Sequence, residues 1–265
     1  PEKIDYVLIT HGHHDHFCLE TLLRMRHRLE TLVIPKANGI YYGDISLKTL
    51  AQKLNFKNVV EMDSLDSIEI PDGEILGVPF LGEHADLPHG KCAYVIRFGV
   101  EQILFAADSD CLDKQLYINL RKICGKIKNV FIGMECVGAP LNWSCGSFLP
   151  EKFNHTIEQS RRYKGCDSAR ATEILEALGA ERLYLYAMGL EPWLEFWLGL
   201  AITEDSTQFI EAKKLLNYAQ EKRYIEAKLL YGRDEMYLEP EKERVKSKIA
   251  SAVNQTVLGS EDNFE

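Results

Sequence analysis

The chain has few features of a secreted or disulfide-stabilised protein. Its seven cysteines are scattered along the sequence, and no two of them form a Cys-x-x-Cys pair. Disulfide frameworks usually combine an even number of cysteines at regular spacings, whereas an odd and dispersed set is typical of reduced thiols. The cysteine pattern therefore predicts a cytoplasmic protein.

Long apolar runs and a positive net charge are also lacking. The richest apolar stretch, residues 192–200, contains Glu195 and is shorter than the roughly 20 residues that a membrane-spanning helix needs. The formal net charge of −9 argues against nucleic acid or an anionic membrane surface as the main partner. The hydrophobic content of 46% is ample for the core of one large domain.

Predicted strands and helices alternate along the chain. Residues 3–10 predict a fully buried strand, and residues 19–29 predict a helix. Residues 67–80 alternate in polarity around a Pro-Asp-Gly turn, which is typical of a β-hairpin. A helix is predicted at 167–178, where Gly179 ends it. Hairpins mixed with helical crossovers predict an α/β layered sandwich rather than a purely parallel sheet.

The composition changes near the C-terminus. Residues 209–223 predict a charged amphipathic helix, and residues 239–244 have the charge-rich character of a linker. The sequence therefore predicts one domain over residues 1–238. A linker and an acidic tail are predicted over residues 239–265.

Residues 11–16 are rich in side chains that bind metals. Five of these six residues are His or Asp, and they directly follow the apolar run 6–9. On an extended segment alternate side chains share one face, so His11 and His13 can converge on one ion. Asp15 and His16 can reach a second ion nearby. Imidazole and carboxylate suit zinc, iron, manganese or cobalt. The simpler alternative is a His-rich turn exposed to solvent.

A second group of candidate ligands follows a predicted strand at residues 102–107. Asp108 comes directly after this strand, and Asp110 lies two residues further on. A carboxylate that emerges from a buried sheet costs free energy unless it is paired or bound to a metal. Asp108 is therefore a candidate ligand, with Asp110 as its local competitor. The alternative is that Asp108 only caps the next helix.

The pattern His11-x-His13-x-Asp15-His16 resembles the signature of the metallo-β-lactamase superfamily. The resemblance implies an αββα sandwich with a dinuclear metal site, in which Asp108 matches the position of the bridging carboxylate. Members of this superfamily carry several strands before the signature. Because this chain opens on Pro1 and reaches its motif after ten residues, we expect it to be a piece of a longer polypeptide, truncated at its N-terminal strands.

Two positions depart from the pattern of hydrolytic members. Where they have Gly-His, this chain has Gly82-Glu83-His84. Adjacent residues on an extended segment face opposite ways, so either Glu83 or His84 points at the metal, and the alignment with Gly82 favours Glu83. Hydrolytic members also have a His near the end of the final core strand. It is missing here, and His155 is the candidate because no other His follows position 89. The alternative is that His155 is a surface residue on a loop.

These departures, together with residues 186–193, resemble the diiron β-hydroxylases of chloramphenicol biosynthesis and related enzymes of nonribosomal peptide biosynthesis. The similarity spans about residues 5–238. It implies an O2-dependent monooxygenase that hydroxylates an aminoacyl substrate on a carrier protein, with Glu83 and Asp108 as catalytic ligands and an unspecified electron donor. The implied ligands of the two iron ions are His11, His13, Glu83 and Asp108 for one, and Asp15, His16, His155 and Asp108 for the other.

The chemistry of this ligand set also favours iron. Four imidazoles and three carboxylates form a hard and anionic set, which favours iron or manganese and stabilises the oxidised diferric state. A pair of zinc ions would act as a Lewis acid and a source of hydroxide. Zinc accepts the same ligands, so a zinc-dependent hydrolase of an ester, thioester or lactam is the alternative function. A non-catalytic scaffold domain is the second alternative.

Overall fold

Two β-sheets and five helices make up the described part of the chain. The computed structural model describes residues 2–13, 16–37, 46–82, 90–134, 166–191, 203–232 and 234. The helices there are α1 (Leu19–Met25), α2 (Leu47–Lys53), α3 (Lys114–Cys124), α4 (Ser168–Leu178) and α5 (Thr207–Glu221). The strands are β1 (Ile4–Leu8), β2 (Leu29–Pro35), β3 (Asn58–Met62), β4 (Ser67–Ile70), β5 (Gly73–Val78), β6 (Ala93–Phe98), β7 (Glu101–Phe105), β8 (Asn129–Ile132), β9 (Arg182–Leu185) and β10 (Glu226–Leu229).

The two sheets differ in size and in strand direction. The small sheet has the order β1-β2-β3, and both of its pairings are parallel. The large sheet has the order β10-β9-β8-β7-β6-β5-β4. Its strands β4 to β7 form an antiparallel meander, whereas β7 to β10 are parallel and are connected through helices. The prediction of hairpins mixed with crossovers is confirmed.

Apolar side chains arrange these elements in four layers. On β2, Leu32 and Ile34 pack with α1 and α2, whereas Val33 points the other way into the layer between the sheets. This alternation follows from the two-residue repeat of a strand. The opposite face of the large sheet packs against α3, α4 and α5 through residues such as Leu104 and Ile174. The order is helices, small sheet, large sheet, helices, which confirms the predicted αββα sandwich.

Short sequence signals determine where several helices and turns begin and end. The Ser46 hydroxyl accepts a hydrogen bond from the Thr49 amide at 3.3 Å and caps α2. The helix α4 ends at Gly179, whose φ of 72° lies in the left-handed region that glycine adopts without a steric penalty. The turn between β4 and β5 is made at Asp72, which has a φ of 61°.

Two predictions were wrong, one for the end of a helix and one for the burial of a strand. The helix predicted at 19–29 ends at Met25, because Leu29 begins β2 and pairs with Ile4 of β1. The strand predicted to be fully buried, β1, is only half-buried. It is an edge strand among the described strands, so one of its sides lacks a neighbouring strand there.

Two other expectations concern the chain as a whole. No helix within the described ranges is long and apolar enough to cross a membrane. The predicted linker and acidic tail at 239–265 lie outside the described residues, and the domain boundary at 238 stays a prediction.

Candidate metal centre

The first motif lies where the end of β1 crosses from the small sheet to the large sheet. The Ile9 amide donates to Val33 of β2 at 2.9 Å, which continues the pairing of the small sheet. The Tyr94 hydroxyl of β6 donates to the Ile9 carbonyl at 2.6 Å, and the Cys92 amide donates to the Thr10 carbonyl at 2.8 Å. These bonds fix residues 9 and 10 against both sheets, and they place His11 between them.

Asp108 reaches the same place from the end of β7. Because β7 and β8 are parallel neighbours, the Gly133 amide after β8 donates to the Ala107 carbonyl after β7 at 2.8 Å. Ala107 has a φ of 49°, a conformation that non-glycine residues adopt at a cost and that often accompanies functional sites. This turn directs the Asp108 side chain into a site where only 1% of it is exposed.

Three side chains converge there. The ligand atoms of His11, His16 and Asp108 all lie within 4.8 Å of one another. The distance from Asp108 Oδ2 is 2.8 Å to His16 Nε2 and 3.6 Å to His11 Nε2. His13 joins from the side, with its Nδ1 atom 2.9 Å from His11 Nε2. The exposed side-chain fractions of His11 and His16 are 2% and 11%, so the cluster is shielded from bulk water.

The cluster fits a metal ion. Both carboxylate oxygens of Asp108 are buried, and neither accepts a hydrogen bond of normal geometry from a described residue. Such a buried carboxylate is costly without a cation. Ligand atoms that share one ion at about 2.0–2.2 Å lie about 3 Å apart, and the distances of 2.8 and 3.6 Å from Asp108 Oδ2 to His16 and His11 are of this size. Imidazole nitrogen and carboxylate oxygen are also the donors that zinc and nonhaem iron accept.

Two residues that the sequence analysis missed support the cluster. The Thr10 hydroxyl lies 3.0 Å from His11 Nδ1, and this contact leaves Nε2 directed at Asp108. Partners of this kind fix the orientation and tautomer of a metal-binding imidazole. A Cβ atom added to Gly133 would lie 2.8 Å from Asp108 Oδ1, so the absence of a side chain leaves space for the carboxylate. Thr10 could have been noticed as the residue before the motif.

Asp110 does not join the cluster of His11, His16 and Asp108. Its carboxylate forms an ion pair with Arg170 of α4 and accepts a hydrogen bond from the Cys111 amide at 2.8 Å. Burial raises the pKa of Asp110, although the Arg170 guanidinium acts in the opposite direction. Nor does Asp108 cap the next helix, because the side chain at the N-terminus of α3 is Asp113.

The other predicted ligands lie outside the described residues. These are Asp15, Glu83 and His155, together with His84 as the competitor of Glu83. Their part in the site stays a prediction. Gly82, the last described residue before Glu83, has a φ of 90°, and its carbonyl accepts a hydrogen bond from Lys91 Nζ at 2.6 Å.

The sequence profile of the metallo-β-lactamase superfamily matches residues 1–123. This match covers β1 to β7, the first motif and Asp108. Together with the four-layer fold and the cluster between the sheets, it shows that this part of the chain is a metallo-β-lactamase domain.

Within the superfamily the chain is similar to diiron hydroxylases, as predicted. It is 39% identical over 223 residues to the 4-amino-L-phenylalanyl-(CmlP-peptidyl-carrier-protein) 3-hydroxylase of Streptomyces venezuelae. The match covers 84% of this chain and 42% of the relative. The crystal structure of CmlA, a diiron β-hydroxylase from Streptomyces venezuelae, superposes with a TM-score of 0.76 at 38% identity. It covers 86% of this chain and 44% of that one, so the chain spans less than half of these relatives.

More distant structures share the fold alone. A putative metal-dependent hydrolase from Parabacteroides distasonis superposes with a TM-score of 0.51 at 15% identity. That alignment covers 86% of this chain and 77% of the hydrolase. The layered architecture is therefore common to proteins whose sequences differ widely from this one.

Proposed function

We propose that this chain is the catalytic domain of a nonhaem diiron hydroxylase, an O2-dependent monooxygenase that acts on an aminoacyl group tethered to a carrier protein. The observation that carries the proposal is the buried cluster of His11, His16 and Asp108. It lies within a chain that is 39% identical to a hydroxylase of this type. A non-catalytic scaffold would not need to keep a costly buried carboxylate beside these imidazoles.

The proposed centre would hold two iron ions, with Asp108 as a ligand of both. This assignment is supported by the distances from Asp108 Oδ2, which are 3.6 Å to His11 Nε2 and 2.8 Å to His16 Nε2, so the carboxylate is within reach of both groups of ligands. His13 lies on the His11 side, at 2.9 Å from its Nε2 atom. We assign the two groups of ligands that the sequence predicts: His11, His13, Glu83 and Asp108 for one ion, and Asp15, His16, His155 and Asp108 for the other.

The overall reaction converts a C–H bond to a C–OH bond. One oxygen atom of O2 enters the substrate, and the other leaves as water after uptake of two electrons and two protons from an external donor and solvent. A bound diiron pair supplies the redox chemistry for O2 reduction. The residues of the chain hold the ions and exclude bulk water, because His11 and Asp108 are almost completely buried.

The partners of the site follow from this proposal. The substrate would be presented as a thioester on a carrier protein, and the reaction would belong to nonribosomal peptide biosynthesis. We also propose a cytoplasmic location, in which thiols stay reduced. The free state of the five cysteines in the described ranges supports this location.

A zinc-dependent hydrolase is the second candidate. His11, His16 and Asp108 are ligands that zinc accepts as readily as iron. With zinc, the same centre would generate hydroxide for attack on an ester, thioester or lactam. The two functions therefore differ in the metal and in the source of the oxygen atom that enters the product.

The isotopic origin of that oxygen tests the proposal. The chain would be loaded with Fe²⁺, reduced with dithionite and exposed to ¹⁸O2 with 4-aminophenylalanyl thioester on a phosphopantetheinylated carrier protein. We expect mass spectrometry to show one ¹⁸O atom in the carrier-bound aminoacyl group. The zinc-loaded chain is the control and should give no hydroxylation. Thioester cleavage with oxygen from water, and no incorporation from ¹⁸O2, would instead support the hydrolase.

A further inference from the structure

We propose that the ion pair between Asp110 and Arg170 is a positioning device for the metal centre. It would fix two backbone segments that carry ligands, the turn after β7 with Asp108 and the segment that leads through Gly82 to Glu83. This inference rests on the proposed metal centre, but it does not depend on which metal is bound or on the reaction that follows.

The carboxylate, the carbonyl and the amide of Asp110 each form a contact with a described residue. Its carboxylate is completely buried, pairs with Arg170 and accepts a hydrogen bond from the Cys111 amide at 2.8 Å. Its carbonyl accepts a hydrogen bond from the Tyr117 hydroxyl of α3 at 3.2 Å. Because Asp110 is only two residues from Asp108, these contacts restrict where the Asp108 backbone can lie.

The same residue also contacts the segment before Glu83. The Asp110 amide donates to the Leu81 carbonyl at 2.8 Å. A Cβ atom added to Gly82 would lie only 2.5 Å from the Asp110 Cβ atom, so the two backbones are in close contact. The Gly82 carbonyl is fixed in turn by Lys91, the residue that pairs with His11 in an isolated β-bridge. The contacts of Asp110 thus connect the segments of Asp108, Gly82 and His11.

Arg170 lies at the start of a helix whose position is itself fixed by hydrogen bonds. It lies in the first turn of α4, where its amide donates to the capping carboxylate of Asp167 at 2.9 Å. The neighbouring residue Ser168 is bonded to Glu211 of α5 through its amide at 3.0 Å. The Arg170 side chain is 43% exposed, so its burial contributes little to the core. Its main interaction among the described residues is the ion pair with Asp110.

Loss of Arg170 would leave the Asp110 carboxylate buried without its cation. Removing one partner costs more than removing both charges when the charge that remains is buried, as that of Asp110 is. Because contact with water relieves an unpaired buried charge, we expect residues 108–112 to move towards water, which would shift Asp108 and the segment that Asp110 holds. Mutation of residues that hold metal ligands in place typically weakens metal binding by 10–100-fold.

Cobalt binding to the full 265-residue chain tests this role. Co²⁺ affinity would be measured by competition with a chelator, the Co²⁺ absorption spectrum would report ligand geometry, and thermal melting of the metal-free chain would report stability. We expect Arg170→Gln to lower Co²⁺ affinity by about 10–100-fold and to change the spectrum. Arg170→Lys keeps the charge but not the planar fork, and we expect a smaller loss of affinity with a folded chain.

The matched control is Lys114→Gln, which removes a 3.3 Å ion pair between α3 and Glu176 of α4 on the surface. It should leave the affinity and spectrum unchanged, because this pair contacts no segment with a proposed ligand. If both Arg170 variants bind Co²⁺ with the unmodified affinity and spectrum, while melting at a lower temperature, the pair is only structural and the inference is wrong. Failure of the unmodified chain to bind Co²⁺ would overturn the metal centre itself, whereas absent hydroxylation with normal Co²⁺ binding would overturn only the proposed function.

Discussion

Asp108→Asn should remove nearly all tightly bound metal from the chain. Asparagine has almost the same shape as aspartate, but its amide is neutral and cannot bridge two cations through two anionic oxygens. Because we assign Asp108 to both ions, one substitution should affect both positions. Elemental analysis after gel filtration should fall from roughly two ions per chain to a small fraction of one. Hydroxylation should fall with it.

The same substitution should not reduce the stability of the metal-free chain. Without metal, the Asp108 oxygens are buried, and Oδ2 contacts His16 Nε2 at 2.8 Å without the geometry of a hydrogen bond. An asparagine of the same shape keeps a polar contact with this imidazole and removes the cost of a buried charge, so the change should be neutral or stabilising. We expect the melting temperature of metal-free Asp108→Asn to equal or exceed that of the unmodified chain. The control is Asp113→Asn at the start of α3, since asparagine also caps helices well and Asp113 lies outside the cluster. Normal metal content in Asp108→Asn would contradict the assignment.

Gly133→Ala should weaken metal binding although residue 133 has no side chain that could bind a metal. The added methyl group would lie 2.8 Å from Asp108 Oδ1 and 3.3 Å from the Ala107 carbonyl oxygen. Real Cβ atoms essentially never approach so closely, so the carboxylate must move. We expect at least about a tenfold loss of affinity for Fe²⁺ or Co²⁺, measured by competition with a chelator, in line with the effect of removing a supporting partner.

The control for this prediction is Gly232→Ala. The methyl group there would lie 3.1 Å from the Glu191 carboxylate, which is the end of a flexible side chain and can move at little cost. Gly232→Ala should therefore bind metal as the unmodified chain does. If Gly133→Ala retains full affinity, the space beside Asp108 is larger than the structure indicates, and the role assigned to Gly133 is wrong.

Local sequence patterns were sufficient to predict the candidate ligands that lie close to one another in the sequence. The alternate spacing of His11 and His13 after one strand indicated that they would converge, and His16 was expected to reach a second ion nearby. The caps at Ser46 and Gly179 were also predictable, because each depends on a short range of backbone. The sandwich itself was expected from the family resemblance carried by the first motif.

The supporting residues could not be predicted because they depend on how distant strands align. Gly133 meets Asp108 through the parallel register of β7 and β8, in which Phe105 pairs with Phe131. A buried parallel strand is apolar on both faces, so its sequence contains little information about this register. The ion pair of Arg170 could not be predicted either, because the sequence does not distinguish it from other cations on the surface of an amphipathic helix. Only the packing of α4 brings it to Asp110.

The metal content of the chain purified in air distinguishes the diiron hydroxylase from the zinc hydrolase. We expect roughly two iron ions per chain by elemental analysis, together with an optical spectrum of a carboxylate-bridged diferric centre. Removal of the metal by a chelator followed by addition of Fe²⁺ should restore both the spectrum and hydroxylation, whereas Zn²⁺ should restore neither. Two zinc ions per chain, with activity restored by Zn²⁺ alone, would rule out the diiron hydroxylase and establish the hydrolase in its place.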